Sequence, residues 1–89
     1  MSIVYAATVN STDTDDGLDS SETVEFTRLA PAERWIDTHA DRYLGASIDV
    51  LERRKVRGRP VDTLTAQRIY QLTDARTGFV LDEVVEVAS

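Results

Sequence analysis

The sequence predicts a small α+β domain in which one helix packs on one face of an antiparallel sheet. Three observations lead to this prediction: the chain has only 89 residues, apolar residues alternate near both of its ends, and a 3.6-residue apolar stripe lies between them. A chain of this length forms one domain with a small core. We therefore predict a two-layer β-β-α-β-β domain over residues 1–89.

The first two predicted strands form a hairpin. Residues 2–9 have apolar side chains at every second position, and residues 23–29 resume this alternation. An acidic hairpin loop at 10–22 separates them and is rich in Asn, Ser, Thr and Asp, which is typical of loops. A connection of this length is unusual for a hairpin, which makes its acidic residues candidates for a functional role.

The middle of the chain carries the predicted helix. Pro31 suits the first helical turn, where its missing N–H has no role. The apolar stripe that follows is formed by Trp35, Ile36, His39, Ala40, Tyr43, Leu44, Ile48 and Leu51. Gly45 interrupts it, so either one helix continues to about Lys55, or the helix ends near Gly45 and a second helix begins at Ala46. The break is favoured because glycine often follows the last helical turn.

The C-terminal third has the pattern of a second hairpin. A basic connector at 53–60 leads to alternating residues at 64–72 and again at 79–87. The intervening turn contains Asp74, whose carboxylate can accept hydrogen bonds from nearby backbone, and Gly78, which tolerates a positive φ.

Composition excludes several classes of site. The chain has no cysteine, which rules out a disulfide framework and a thiolate metal site. Its apolar runs are far shorter than the roughly 20 residues of a membrane-spanning helix, so we expect a cytoplasmic protein. The net charge is −6, and it originates entirely in residues 1–25, which contain six acids and no base.

Eight acidic side chains form the predicted partner-binding surface, because the loop acids and one stripe of the helix are expected to extend each other. They are Asp13, Asp15, Asp16, Asp19, Glu22, Glu33, Asp37 and Asp41. Such a surface would imitate a phosphate backbone and bind a basic, nucleic-acid-binding site on a partner protein. The chain would then be a non-enzymatic protein-binding module, an inhibitor or an adaptor, similar in size and charge to the small acidic proteins by which mobile elements block host nucleases.

The same acids also have simpler interpretations, as a solvated loop tip and an exposed helix face. A calcium loop is not supported. With Gly17 at loop position six, positions one and three would be Thr12 and Thr14, and position twelve would be Thr23 instead of a glutamate. No metal site is predicted.

The densest positive charge lies directly after the helical segment. Its five bases are Arg53, Arg54, Lys55, Arg57 and Arg59. Within it, Arg57-Gly58-Arg59-Pro60 resembles the core of an AT-hook, a short extended peptide that places two arginines in the narrow minor groove of A·T-rich DNA. The resemblance covers four residues, and Val56 and Val61-Asp62 stand where the family usually has proline or bases. It implies an alternative function, a DNA-binding accessory protein. A solvated loop and contact with an acidic protein patch are the other interpretations.

No catalytic constellation is present in the sequence. His39 is the only histidine, lies on the apolar side of the helical stripe and is predicted to be a packed core residue. There is no G-x-S-x-G turn and no glycine-rich phosphate loop. We therefore expect neither enzymatic activity nor a cofactor. An exposed sheet edge leaves a homodimer open.

Overall fold

The computed structural model describes residues 2–11, 20–74 and 78–87. These residues form one helix and one five-stranded antiparallel sheet with the strand order β2-β1-β3-β4-β5. The elements are β1 (Ser2–Ser11), β2 (Ser20–Phe26), α1 (Leu29–Asp37), β3 (Gly45–Val56), β4 (Arg59–Asp74) and β5 (Gly78–Glu86). The predicted α+β class is confirmed, and the predicted order of elements is correct except that it lacks one strand.

The missing strand is β3, so both predictions of helix beyond Gly45 are wrong. Ala46, Ile48 and Val50 point to one face of the sheet, while Ser47 and Asp49 point to the other. This short alternation, with two β-branched residues, outweighs the helical spacing once β1 and β4 offer hydrogen-bonding partners on both sides. The prediction failed because Ile48 fits both periods.

Helix α1 ends at Asp37, well before Gly45, and the reason is local. The Thr38 hydroxyl and the His39 ring Nδ1–H both donate to the carbonyl oxygen of Trp35, at 2.6 and 2.8 Å. In a continuing helix that oxygen would accept from the backbone N–H of His39, which instead bonds to the carbonyl of Ile36 at 3.0 Å. The side chains thus compete with the backbone and stop the helix.

Gly45 begins β3 and does not end the helix. It pairs opposite Asn10 of β1, and a Cβ at this position would lie 2.8 Å from the Asn10 Oδ1. The space beside Gly45 is therefore occupied by the Asn10 side chain, which a larger residue would have to displace.

The N-terminal hairpin has longer strands than predicted. Ser11 of β1 pairs with Ser20 of β2, so the strands extend into the segment predicted as loop at 10–22. The acids Asp13, Asp15, Asp16 and Asp19 lie outside the described residues.

The core lies between α1 and the central strands. Its buried residues are Ala7, Val9, Ala32, Ile36, Ala40, Ala46, Ile48, Tyr70 and Phe79. Tyr5, Phe26, Leu29, Trp35, Tyr43 and Leu72 pack around them and are partly buried. A nine-residue helix is only about 13 Å long, and a large part of β5 stays exposed. Its apolar side chains Val80, Leu81, Val84 and Val85 are 39–45% exposed.

Alanine at Gly78 is expected to destabilise the protein more than alanine at Gly58. Both glycines have a positive φ, 83° and 80°, which an L-residue adopts at a cost of roughly 1–2 kcal/mol. A Cβ at Gly78 would also lie 2.8 Å from the Asp37 Oδ1, which accepts a hydrogen bond from the N–H of Phe79, whereas a Cβ at Gly58 meets nothing within 4 Å. In urea unfolding we expect Gly78→Ala to lose at least about 1 kcal/mol more than Gly58→Ala. Equal losses would contradict the packing described around Asp37.

Candidate nucleic-acid interface

The segment predicted as a connector at 53–60 is instead the outer part of the β3–β4 hairpin. Strand β1 pairs with β3 only as far as Ser2, opposite Arg53, and the pairing of β5 with β4 stops at Ala66. In the described part of the chain, residues 54–61 therefore have neither neighbouring strand beside them and form a two-stranded ribbon. We call these eight residues the basic arm.

The tip of the basic arm is a two-residue turn. Val56 pairs with Arg59, and the two residues between them, Arg57 and Gly58, have φ values of 52° and 80°. Positive φ at both central residues is what a tight hairpin turn of matching twist requires. The extended conformation implied by the AT-hook resemblance is not adopted, because the motif 57–60 folds back on itself.

Arg53 forms ion pairs within the chain at the base of the basic arm. Its Nε and Nη2 donate to the two carboxylate oxygens of Asp62 at 2.8 and 3.0 Å. Nη1 and Nη2 also donate to Glu25 of β2 at 3.2 and 2.8 Å. These hydrogen bonds hold the pKa of Asp62 below its ordinary value and raise that of Arg53. Arg53 thus joins the arm to the sheet and is a structural residue.

The other four predicted bases lie on the basic arm and are exposed. Arg54 Nη2 is 3.6 Å from Glu52 Oε2, a loose pair between an exposed arginine and a half-buried glutamate. Among the described residues, Lys55, Arg57 and Arg59 have no carboxylate within ion-pair distance. The arm therefore presents three uncompensated positive charges to solvent.

A shallow open cleft of about 380 Å³ lies at the base of the basic arm. It is lined by Ser2, Arg53, Arg54, Lys55 and Pro60. Arg53 is already paired with Asp62 and Glu25, so Arg54 and Lys55 are the two bases of this lining left to bind an anionic group such as a phosphate.

The four acids of the predicted surface that fall within the described residues make contacts within the chain. Glu22 Oε2 accepts a hydrogen bond from the Tyr43 hydroxyl at 2.9 Å and lies 3.6 Å from the His39 Nε2. The hydrogen bond to Glu22 raises the pKa of Tyr43. Asp41 is exposed, with the Nε of Arg42 at 3.8 Å.

Glu33 and Asp37, also predicted to bind a partner, fix α1 to the sheet. Glu33 Oε2 accepts from the Tyr70 hydroxyl at 2.8 Å, and that hydroxyl accepts from Arg68 Nε at 3.0 Å. Burial raises the pKa of Tyr70 to about 12. Asp37 accepts from the backbone N–H of Phe79. The structure thus gives both acids a role in packing, and their predicted role in binding stays a prediction.

Sequence reasoning missed the ribbon that carries the basic residues. Two signals were available: the Arg57-Gly58 dipeptide at the centre of the segment, and valines at 56 and 61 among the bases. Glycine at the second turn position is typical of two-residue hairpins, but arginine at the first position is not. The turn was therefore hidden by an atypical residue.

Lowering the pH below about 4 is expected to destabilise the wild-type protein more than it destabilises the Arg53→Met variant. The folded state holds the pKa of Asp62 below its unfolded value, so this stabilisation is present above the unfolded pKa and is lost as the pH falls through the folded one. Without the guanidinium of Arg53 the shift disappears. Urea unfolding between pH 7 and pH 2 measures the effect, with Arg54→Met as the matched control. Equal acid sensitivity of wild type and Arg53→Met would exclude the ion pair as its source.

Chemistry of other kinds has little support in the described part of the chain. Residues 2–11, 20–74 and 78–87 contain no group of three or more His, Asp or Glu placed to hold a metal ion. In the same ranges, no helix has both the length and the apolarity needed to cross a membrane. No protein-family model, curated protein or solved structure matches the chain. The geometry of the basic arm is the main guide to function.

Proposed function

We propose that this chain is a non-enzymatic DNA-binding accessory protein that contacts DNA through its basic arm. The observation that supports this most directly is the position of Lys55, Arg57 and Arg59 on a ribbon where none of the three has an ion-pair partner among the described residues. A set of like charges this close together repels itself, so the fold gains nothing from it. A bound polyanion would neutralise these three charges, and the release of counterions from the polyanion would strengthen binding.

The separation of charge within the fold makes such binding compatible with a net charge of −6. From the Arg53–Asp62 pair to the turn, the ribbon extends by four residues, or about 13 Å. This exceeds the Debye length of about 8 Å at physiological salt, so repulsion from the acidic body is screened at the tip.

The two strand ends that flank the acidic loop also lie away from the basic arm. Ser11 and Ser20, which flank the loop acids in sequence, pair beside Gly45 at the first residue of β3, whereas the arm follows the last residues of β3. The first and last residues of the 12-residue strand β3 are about 36 Å apart. A phosphate backbone can therefore approach the arm without approaching the ends of the acidic loop.

Salt dependence of DNA binding tests the proposal. Fluorescence anisotropy with labelled 20-nucleotide DNA, single-stranded and as a duplex, is expected to show binding whose affinity falls roughly 50-fold between 50 and 200 mM salt. That corresponds to a slope of about −3, the value for three to four phosphate contacts. Absence of binding to both DNA forms at 50 mM salt, or binding that is independent of salt, would overturn the proposal.

A second candidate function is protein binding, and the observation that favours it is the exposed edge strand β5. Its outer edge has no pairing strand among the described residues, and it combines exposed valines with Asp82, Glu83 and Glu86 and no base. Unpaired edges accept a further strand. By charge complementarity the occupant is a partner strand that carries basic side chains, in keeping with the predicted inhibitor or adaptor.

A synthetic peptide of alternating valine and lysine is a suitable probe of this second function. We expect it to bind wild type and to lose affinity at least tenfold for Val84→Lys, which places a charge on the edge. Arg57→Ala/Arg59→Ala is the control that leaves β5 intact. No binding of the peptide, or equal binding to Val84→Lys, would exclude the edge as the docking site.

A further inference from the structure

We infer that the basic arm recognises double-stranded DNA by entering its major groove as a two-stranded ribbon, in preference to single strands or RNA. This inference rests on the proposed function. It names the form of nucleic acid and the groove, which charge alone does not determine.

The absence of free aromatic side chains argues against single-stranded nucleic acid. Proteins that bind single strands combine a basic groove with aromatic side chains on which the bases stack. The six Phe, Trp and Tyr residues of this chain all belong to the core or pack against it. They are Tyr5, Phe26, Trp35, Tyr43, Tyr70 and Phe79. None lies in the basic arm, so the arm offers charge without a stacking platform.

The width of the ribbon fits the major groove of undistorted B-form DNA. Two paired strands lie about 4.8 Å apart, and side chains widen the ribbon further. The major groove of B-form DNA is about 12 Å wide and admits such a ribbon without distortion, while the minor groove, about 6 Å wide, accepts one only where the DNA is bent or the groove widened. In A-form RNA the major groove is deep and too narrow for side chains to read. B-form DNA is therefore the fitting duplex.

One face of the basic arm carries side chains that can contact the groups exposed in the major groove. Cross-strand partners point to the same face. The pairs Arg54–Val61 and Val56–Arg59 alternate along the ribbon with the pair Lys55–Pro60 and therefore share one face. Arginine can donate to guanine or to phosphate, and an apolar side chain can contact the thymine methyl group.

The exposure of the valines supports this orientation. Val56 and Val61 are 48% and 43% exposed, so this face of the basic arm has apolar surface available for contact. The cleft at the base of the arm is lined from both faces, by Arg54 on this one and by Lys55 and Pro60 on the other. We assign that cleft to a backbone phosphate at the rim of the groove.

The experiment compares four probes at 100 mM salt: a 20-base-pair DNA duplex, one of its strands alone, the RNA duplex of the same sequence, and the DNA duplex saturated with netropsin, a minor-groove ligand. Wild type and Arg57→Ala/Arg59→Ala are measured side by side, and circular dichroism verifies that the variant is folded. We expect wild type to bind the DNA duplex at least tenfold more tightly than the single strand and the RNA duplex, without loss in netropsin. We expect the variant to lose at least tenfold on the DNA duplex.

The outcomes separate the inference from the function on which it rests. Arm-dependent binding that is equal or tighter for the single strand or the RNA duplex overturns the assignment to duplex DNA and leaves DNA binding intact. Displacement by netropsin overturns the assignment to the major groove. Binding of all probes that is equal for wild type and variant overturns the proposed function itself.

Discussion

Alanine at Lys55, Arg57 and Arg59 together is expected to lower the affinity for duplex DNA roughly 10²–10³-fold at 50 mM salt. The three side chains carry the uncompensated charge of the basic arm, and each phosphate contact contributes about 0.9 to the slope of log affinity against log salt. The slope should therefore fall from about −3 to between zero and about −1, because Arg54 is left on the arm. All three side chains are exposed and outside the core, so thermal unfolding should be nearly unchanged.

The matched control removes the same charge from another place. Arg28, Arg34 and Arg42 are exposed and lie on or beside α1. Their replacement with alanine gives the same net charge as the arm variant, because each triple variant loses three positive charges. The control should keep at least about half of the wild-type affinity. An equal loss in both variants would show that overall charge, and not the basic arm, determines binding.

Ile48→Ala is expected to lower the free energy of unfolding by about 3 kcal/mol, a large part of the total stability of a domain this small. Ile48 is fully buried, in the core cluster that also contains Ile36 of α1, and alanine there leaves a cavity. Leu51→Ala should lose about 1 kcal/mol, because Leu51 is only half-buried and points to the opposite face of β3.

This pair of variants distinguishes the strand from the predicted helix. In a helix, Ile48 and Leu51 are three residues apart and share one stripe, so both substitutions would cost similar amounts. In a strand they lie on opposite faces. Equal losses in denaturant unfolding would contradict β3 as the structure has it.

The hairpins were predictable from sequence because alternation at both ends has no competing pattern. Strands β1, β2, β4 and β5 all overlap their predicted ranges, and Gly78 has the positive φ expected at the second turn. Helix α1 was also predicted, but the position at which it ends was not. It depends on Thr38 and His39 side chains that bond to the carbonyl of Trp35, an arrangement that spacing does not reveal.

The basic residues of the candidate site were predictable, while their separation into roles was not. Five clustered bases are visible in the sequence, but only the register of β3 and β4 places Arg53 opposite Asp62. Contact with Glu25 further requires β2, which is 28 positions away in sequence. Similarly, the acids at 22, 33 and 37 have the same sign of charge as the loop acids, which is visible in the sequence. Their hydrogen bonds, to Tyr43, to Tyr70 and to the N–H of Phe79 respectively, depend on tertiary packing and are not.

Chemical-shift mapping by NMR tests most directly whether the basic arm is the surface that contacts DNA. Backbone amide spectra of the ¹⁵N-labelled chain would be recorded while an unlabelled DNA duplex is added at 50 mM salt. We expect the largest shifts at 54–61, with smaller changes at Ser2 and Arg53 beside the cleft, and little change on α1 and β5. The largest shifts on α1 or β5, or no shifts on the arm at saturating DNA, would contradict the account.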